Sequence, residues 1–568
     1  MTVSAQPHWI NTAAPEGSWR SILKWGSPDQ FKHPNPRLFR LMKATFGMTD
    51  ADFATPAHTG LEPARFQRPS ALPAADAAVF KAMLGPGGVA LDGLTRLRAA
   101  YGKTMLDLMR LREGIVENLP EAVLYPRNGH DVARIVDYCA LQGIPISARG
   151  GGSSVTRGLE CPKGGVSLDL TRHMNKVISF NEVNQTITVE PGVYGPELEK
   201  ILNSAPELFG AARRYTCGHF PQSFEFSTVG GWVVARGAGQ NSTYYGKIED
   251  MVLAQAYVTP AGLIRTGDQP AAATGPDTDQ ILIGSEGTFG VLTEVTLRVF
   301  RLLPGSRRRY SYMFPDWHSA CAAMREVLQA EAGLPSVFRL SDPEETDVAL
   351  KLYGVENPLV NRILGLWGLK PGQRCLMLGS TDGEAGFTRN VRNAVGRIAR
   401  RHGALSTTSL VTRSWEHGRF RDPYLREDLQ DYGIMTDTLE CAVTWDQLER
   451  VHREVRAYCK ARPQTICMTH MSHCYPQGAN LYFIFIARLD SIAEYQAYQA
   501  GILDAIRASG ATMSHHHGIG RMIAPWIEGQ LGSAQMELFR AIKRHFDPQS
   551  IMNPGGTLGL DLPAEERR

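Results

Sequence analysis

The chain has 568 residues, of which 43% are hydrophobic and 21% charged, with a formal net charge of +3. Three or so domains of roughly 100–200 residues fit that length, and the apolar content is enough for a buried core. So small a charge, with no basic run and no zinc-finger spacing, argues against a nucleic-acid partner. No stretch reaches the ~18 uninterrupted apolar residues of a membrane span.

Residues 1–115 are polar and proline-rich at first, then helical in pattern, as in GLTRLRAAYGKTMLDLMRLREG. They show no visible chemistry. Residues 116–302 change character. EAVLYP reads as a short strand, and NGHDVARIVDYCALQG as a helix with Val132, Ile135, Val136 and Cys139 on one face and Gly143 as its stop. IPISARGGG is a strand running into glycines, GVSLDLT alternates like a half-buried strand, and KVISFNEVNQTITVEPGV is two strands around a polar turn. YGPELEKILNSA is a helix. Residues 303–510 are mixed again: CLMLGSTD and ANLYFIFIARLD look like strands and TWDQLERVHREVRAYCKARP like an amphipathic helix. An antiparallel sheet covered by helices is expected. Residues 511–568 read as helical, so the predicted class is α+β, with divisions at 1–115, 116–302, 303–510 and 511–568.

Nine scattered cysteines without a C-x-x-C pair suggest reduced thiols in a cytosolic protein. Neither a secretory signal at the start nor a peroxisomal or retention signal at the end is recognisable, so a cytoplasmic location is expected.

Three glycine-rich stretches stand out: ARGGGSSVTRG, HFPQSFEFSTVGGWVVARGAGQ and GSEGTFGVLTEVTL. Each alone reads as a tight loop after a strand. None matches G-x-G-x-x-G, and no phosphate-binding lysine and hydroxyl pair follows the first. Together, three loops of small residues within about 150 positions suit a long dinucleotide, whose pyrophosphate wants backbone N–H donors. These motifs, with FDPQSIMNPGG near the end, resemble the FAD domain of vanillyl-alcohol-oxidase and p-cresol-methylhydroxylase type flavoproteins. The resemblance implies two α+β subdomains clasping FAD, plus a cap domain. The cofactor contacts it implies are Arg149, Gly150, Gly151, Gly152, Ser153 and Ser154 in the first loop. The second would supply Pro221, Ser223, Ser227, Thr228, Gly230, Val234, Arg236 and Gly237, and the third Glu286, Gly287, Gly290 and Val291. Ser153 stands where some members carry a flavin-linked histidine, so non-covalent FAD is expected.

The stretches CGHFPQSFEFSTVGGW, GKIEDMV, CMTHMSHCYPQGANLYF and SHHHGIG resemble the alkylglycerone-phosphate synthase (alkyl-dihydroxyacetonephosphate synthase) family, over about residues 20–560; LKWG at 23–26 is similar to its N-terminal region. That family replaces the acyl chain of acyl-dihydroxyacetone phosphate with a fatty alcohol, without net redox change. The resemblance implies Tyr482, His515, His516 and His517 as catalytic groups and Arg426, Arg339 and His219 as substrate-binding ones. Arginine suits a phosphate through its planar fork, although a charged helix around Arg426 also fits a solvated face. A tyrosine base at pH 7 needs cationic neighbours to offset ~4 kcal/mol of ionisation, and the histidine run is the candidate supplier.

The triplet has other readings: structural histidines, or a metal site completed by His470 and His473. Adjacent residues in an extended segment point to alternating sides, so three in a row do not readily share one ion. No metal is the expectation. Residues 357–373, NPLVNRILGLWGLKPGQ, fit either a surface helix that meets a lipid interface or a core helix of the cap. The lipid reading allows peripheral contact with the inner membrane surface, and a homodimer is the expected assembly. The alternative function is an FAD-dependent oxidase or dehydrogenase of a hydroxy acid or alcohol, in which the arginines hold a carboxylate. A flavin-binding scaffold without turnover is a third reading.

Overall fold

The computed structural model describes residues 7–355 and 357–568. Four strands, β1 (Val89–Ala90), β2 (Ala122–Leu124), β3 (Ile146–Arg149) and β4 (Val166–Asp169), form a sheet of order β1-β2-β4-β3. β4 runs parallel to both β2 and β3. All four β4 residues are buried, where alternation led us to expect a half-exposed strand. A strand parallel to both its neighbours is covered on both faces. The helix Gly129–Gln142 buries Val132, Ile135, Val136 and Cys139 and stops at Gly143 in the left-handed region, as its sequence predicts.

The second sheet is antiparallel. It contains β5 (Val177–Asn181), β6 (Thr186–Val189), β8 (Val252–Thr259), β9 (Gly262–Arg265) and β10 (Val291–Arg298), in the order β5-β6-β10-β8-β9. The short β7 (Tyr215–Thr216) and β11 (Phe300–Arg301) pair separately. The third sheet is the expected antiparallel one, of order β15-β12-β14-β13-β17-β18-β16. Its strands are β12 (Arg308–Phe314), β13 (Val337–Ser341), β14 (Cys375–Thr381), β15 (Leu405–Ser406), β16 (Ile434–Thr444), β17 (Ile466–Tyr475) and β18 (Gly478–Arg488). Alternation along β18 sends Leu481, Phe483 and Phe485 into the main core and leaves Tyr482, Ile484 and Ile486 on the other face, which borders a cavity.

The segment after residue 510 returns to the first sheet. Ile146 accepts from the Asn553 N–H and donates to the Ile551 carbonyl, so FDPQSIMNPGG lies along the free edge of β3. The buried Lys543 ammonium fixes this closure by donating to Asp547 and to the carbonyls of Thr288 and Met552. No helix among the described residues is long and apolar enough to cross a membrane. All nine cysteines are buried free thiols.

The N-terminal region breaks its helical pattern at residues 101–104. Thr104 caps a new helix, Met105–Arg112, through a capping box with Asp107. The region is bound to the cap by buried charges. Asp431 accepts from Arg20 at 2.8 Å and from Arg112 at 2.6 Å, and Arg20 also reaches Asp428 at 3.1 Å. Removing one member of such a set strands the others in a low-dielectric interior, at a cost of about 3–5 kcal/mol. Asp431→Ala is therefore expected to release the N-terminal 115 residues to limited proteolysis at urea concentrations where the unaltered protein resists; equal resistance would show that these charges do not hold the region.

Candidate active site

The glycine loops and the open face of the third sheet enclose a cavity of about 1120 Å³. At its floor, Gly151 lies so near the Phe226 carbonyl that a Cβ would sit 2.0 Å from the oxygen, and Gly152 has a left-handed φ of 72°. Only glycine permits this backbone, which leaves the loop open to a ligand. Arg149 anchors the strand end on Asp169 at 2.6 Å. Both ring nitrogens of His219 are buried without a partner. Its ring lies 4.7 Å from Trp232 and borders the cavity. Burial pushes its pKa down to about 3, so it is a neutral imidazole with a donor and an acceptor to offer. A cradle bare of side chains beside an orphaned imidazole fits a flat polar cofactor such as FAD.

Most of the sequence-predicted cofactor residues border this cavity: Arg149 to Ser154, Pro221, Ser223, Ser227, Thr228, Gly230, Val234, Gly237, Gly287 and Gly290. Two do not. Arg236 turns away to Glu249 and Gln280, at 3.3 and 2.6 Å. Val291 is fully buried in the core beneath β10, because its side chain points to the helix-covered face. Glu286 borders the cavity, but its carboxylate is committed elsewhere: it accepts from the N–H groups of Ile519 and Gly520 at 2.6 and 2.9 Å.

The histidine triplet hangs on a second buried carboxylate. Glu440 Oε1 accepts from the N–H groups of His515, His516 and His517, each at 3.0 Å, and from the Ser514 hydroxyl at 2.8 Å. Its Oε2 accepts from Asn480 at 2.8 Å and again from His515 N–H at 2.9 Å. Burial pushes the carboxyl up, but the adjoining His516, His517 and His515 outweigh it and hold it well below its usual range. His516 and His517 border the cavity; His515 sits behind them, its Nε2 2.7 Å from the Tyr475 hydroxyl. Burial keeps His515 well below its usual pKa and lowers His517 to about 4. Glu440, His515 and His516 offer three ligand atoms within 4.8 Å of one another. A metal there would have to compete with the N–H donors that already fill both Glu440 oxygens.

Tyr482 lies beside Glu440 on one side and His470 on the other, in register across β16, β18 and β17. Its hydroxyl donates to Thr438 at 3.1 Å, and its ring stacks on His470 at 4.7 Å. Burial pushes the phenol up to about 12. The cationic help expected to ionise it falls short: burial lowers His470 and brings His517 to about 4, and the attraction of Arg339 does not offset the burial of the phenol. A free phenolate at pH 7 would cost ~7 kcal/mol, so the Tyr482 hydroxyl keeps its proton.

Arg426, on the helix Leu425–Gln430, borders the cavity and is not on a solvated face. It donates to the Lys103 carbonyl at 2.8 Å and stacks over Trp25 at 5.6 Å. The Lys103 N–H in turn donates to Ser154 O in the first glycine loop, at 2.7 Å. Arg339 also borders the cavity, but Glu345 takes its charge at 2.7 Å, and a second contact reaches His470 Nδ1 at 2.9 Å. Sequence reasoning missed Glu440 and the Lys103 turn. The one available signal for Glu440 was an acidic residue inside the apolar strand TLECAVTW.

Residues 120–268 match the FAD binding domain family, and residues 303–557 the C-terminal domain family of FAD linked oxidases. Over 84% of its length the chain is 30% identical to an alkyldihydroxyacetonephosphate synthase of Dictyostelium discoideum, of which it covers 79%. A solved alkyldihydroxyacetonephosphate synthase structure superposes with a TM-score of 0.79 at 26% identity, over 94% of this chain and 98% of that one. The fold is also that of p-cresol methylhydroxylase, with a TM-score of 0.62 at 17% identity over 87% and 99% of the two chains.

Analysis of purified protein is expected to find flavin that acid precipitation releases completely and less than one zinc per chain. One zinc per chain, lost on Glu440→Gln, would reassign the triplet as ligands.

Proposed function

The chain belongs to the alkyldihydroxyacetonephosphate synthase family and is an FAD-dependent enzyme of that type; on that premise we propose how its own residues carry the reaction. An acyl-dihydroxyacetone phosphate gives up its fatty acid and takes a fatty alcohol in its place, forming an ether. The observation that carries this reading is the cavity beyond the flavin cradle. It continues past Tyr482 between apolar walls that include Met313, Leu378, Met468 and Ile484. An oxidase of a small hydroxy acid has no use for such walls; an alkyl chain is stabilised by ~0.8 kcal/mol for each methylene buried.

Arg426 holds the phosphate, its fork positioned by the Lys103 carbonyl and the Trp25 ring. Arg339, already neutralised by Glu345, positions His470 and through it the Tyr482 ring. Tyr482 donates a hydrogen bond to the oxygen on which charge develops. His516 and His517 take the proton that the alcohol gives up. The glycine loops and His219 would hold FAD without a covalent bond, and the bound flavin would supply a reactive ring nitrogen.

Lipid entry follows from the cavity's far end, where Tyr353, Val355, Val360, Leu364 and Leu410 border it. The helix Pro358–Leu366 beside it buries none of its residues. Leu359, Ile363, Leu366 and Trp367 are 67%, 49%, 83% and 66% exposed, which favours the surface helix over the core helix. We propose that this apolar rim rests in a lipid interface.

With acyl-dihydroxyacetone phosphate, a fatty alcohol and no electron acceptor, the enzyme is expected to form ether product, and Tyr482→Phe to lower turnover by ~10²-fold or more. Flavin bleaching by a hydroxy acid, reversed by an acceptor and without ether formation, would favour the dehydrogenase. Trp367→Glu is expected to weaken liposome binding severalfold with flavin content unchanged; equal binding would remove the rim from the membrane.

A further inference from the structure

The apolar rim at the cavity's far end is edged by charge of one sign. Between residues 351 and 373 stand Lys351, Arg362 and Lys370 against a single acid, Glu356, which lies outside the described residues. The three cations are exposed and form no ion pair among the described residues. Arg37 joins them from the N-terminal region. It reaches the Leu352 carbonyl at 3.5 Å, and its guanidinium covers the left-handed turn at Gly354, where a Cβ would meet it at 2.2 Å. Arg413 is exposed on the helix Leu410–Gly418, three residues from the rim's Leu410.

These positions belong to one surface. The helices Pro343–Tyr353, Pro358–Leu366 and Leu410–Gly418 pack on one apolar cluster through Leu350, Leu364 and Val411. The acids on the same helices are spent inward: Glu344 on Arg456 and Lys460, Glu345 on Arg339, Asp347 on Arg374, and Glu416 on Arg309. Within Pro358–Leu366, Leu359, Ile363 and Leu366 share the outward face, and Val360 and Leu364 turn toward the cavity. Arg362 stands about 60° around the axis from Leu359, on the other side. An arginine at such an edge keeps its stem on apolar surface and its charge in the polar layer.

We propose that this face docks on a lipid surface bearing anionic headgroups, a role that rests on the lipid-rim reading above. The apolar residues insert, and the cations select the surface. Each Lys or Arg held near an anionic leaflet strengthens binding by roughly fivefold. A second copy of this chain is a poor occupant, since a two-fold interface sets the same unpaired cations against one another. A bilayer fits better, because the cavity opens within this face and an alkyl chain entering it then passes from one apolar medium to another. Acyl-dihydroxyacetone phosphate is itself an anionic lipid, so the same charges concentrate substrate at the mouth.

The test compares holoenzyme binding to vesicles of pure phosphatidylcholine and of phosphatidylcholine mixed with phosphatidylglycerol. The mixed vesicles are expected to bind at least ~10-fold more tightly at low salt. That preference should shrink as salt shortens the screening length from ~30 Å at ~0.01 M to ~8 Å at ~0.15 M. Arg362→Glu combined with Lys370→Glu is expected to remove most of it, with flavin content, turnover of detergent-dispersed substrate and binding to pure phosphatidylcholine unchanged. If that variant loses flavin, Arg362→Gln with Lys370→Gln reads the same preference with less disturbance. Equal binding of the unaltered enzyme to both vesicles would overturn the charge selection and leave the apolar rim standing. A charge variant that keeps the full preference would overturn it too. Binding to neither vesicle would remove the lipid rim itself, and the charge selection with it.

Discussion

The site depends on two buried carboxylates that grip one short loop. Glu440, from the cap sheet, accepts the N–H groups of residues 515–517, and Glu286, from the flavin-side loop, accepts those of 519 and 520. Consecutive N–H groups with no helix or strand to bind them would be costly to bury. Each carboxylate satisfies several at once, with charge-assisted bonds. The histidines are thereby suspended between two sheets that are far apart in the chain. Glu286 has a left-handed φ of 47°, which turns it toward the loop.

Three layers converge on the cavity through similar backbone contacts. The N-terminal region contributes few polar side chains to the cavity, yet its turn at Lys103 joins the glycine loop to Arg426. Trp25 lies under that arginine, and Leu38, Leu41 and Met42 form part of the apolar wall. The buried ion set around Asp431 makes this arrangement rigid. Removal of water is the common cause of its electrostatics: it neutralises His219, His515 and His517 and holds the Tyr482 proton in place. Charge that appears during the exchange then meets oriented dipoles instead of bulk solvent, which favours transition-state stabilisation over ground-state ion pairing.

Much of this was legible in order along the chain. Helical and strand periods placed the helix Gly129–Gln142, the hairpin at 177–189 and β18 correctly, because each buries one face and shows it in its pattern. The glycine loops showed the cofactor class, since only a close-approaching ligand explains three of them together. β4 was misjudged because a strand with neighbours on both sides shows no reliable alternation, and the side chains of Arg236 and Val291 lie off the cavity because a motif names neighbours in sequence without saying which way each side chain points.

The sequence by itself determined the α+β class, the flavin cradle and the identity of the histidine triplet, because these rest on local backbone needs and on residues close together in the chain. Only the tertiary structure decided how those residues act. Glu440 became the support of the triplet, Lys103 the support of Arg426, and Tyr475 the partner of the inner imidazole, His515. Each of these is a contact between residues 40 to 323 positions apart, brought together by packing distant segments against one another. Such separations leave no periodic trace in the chain.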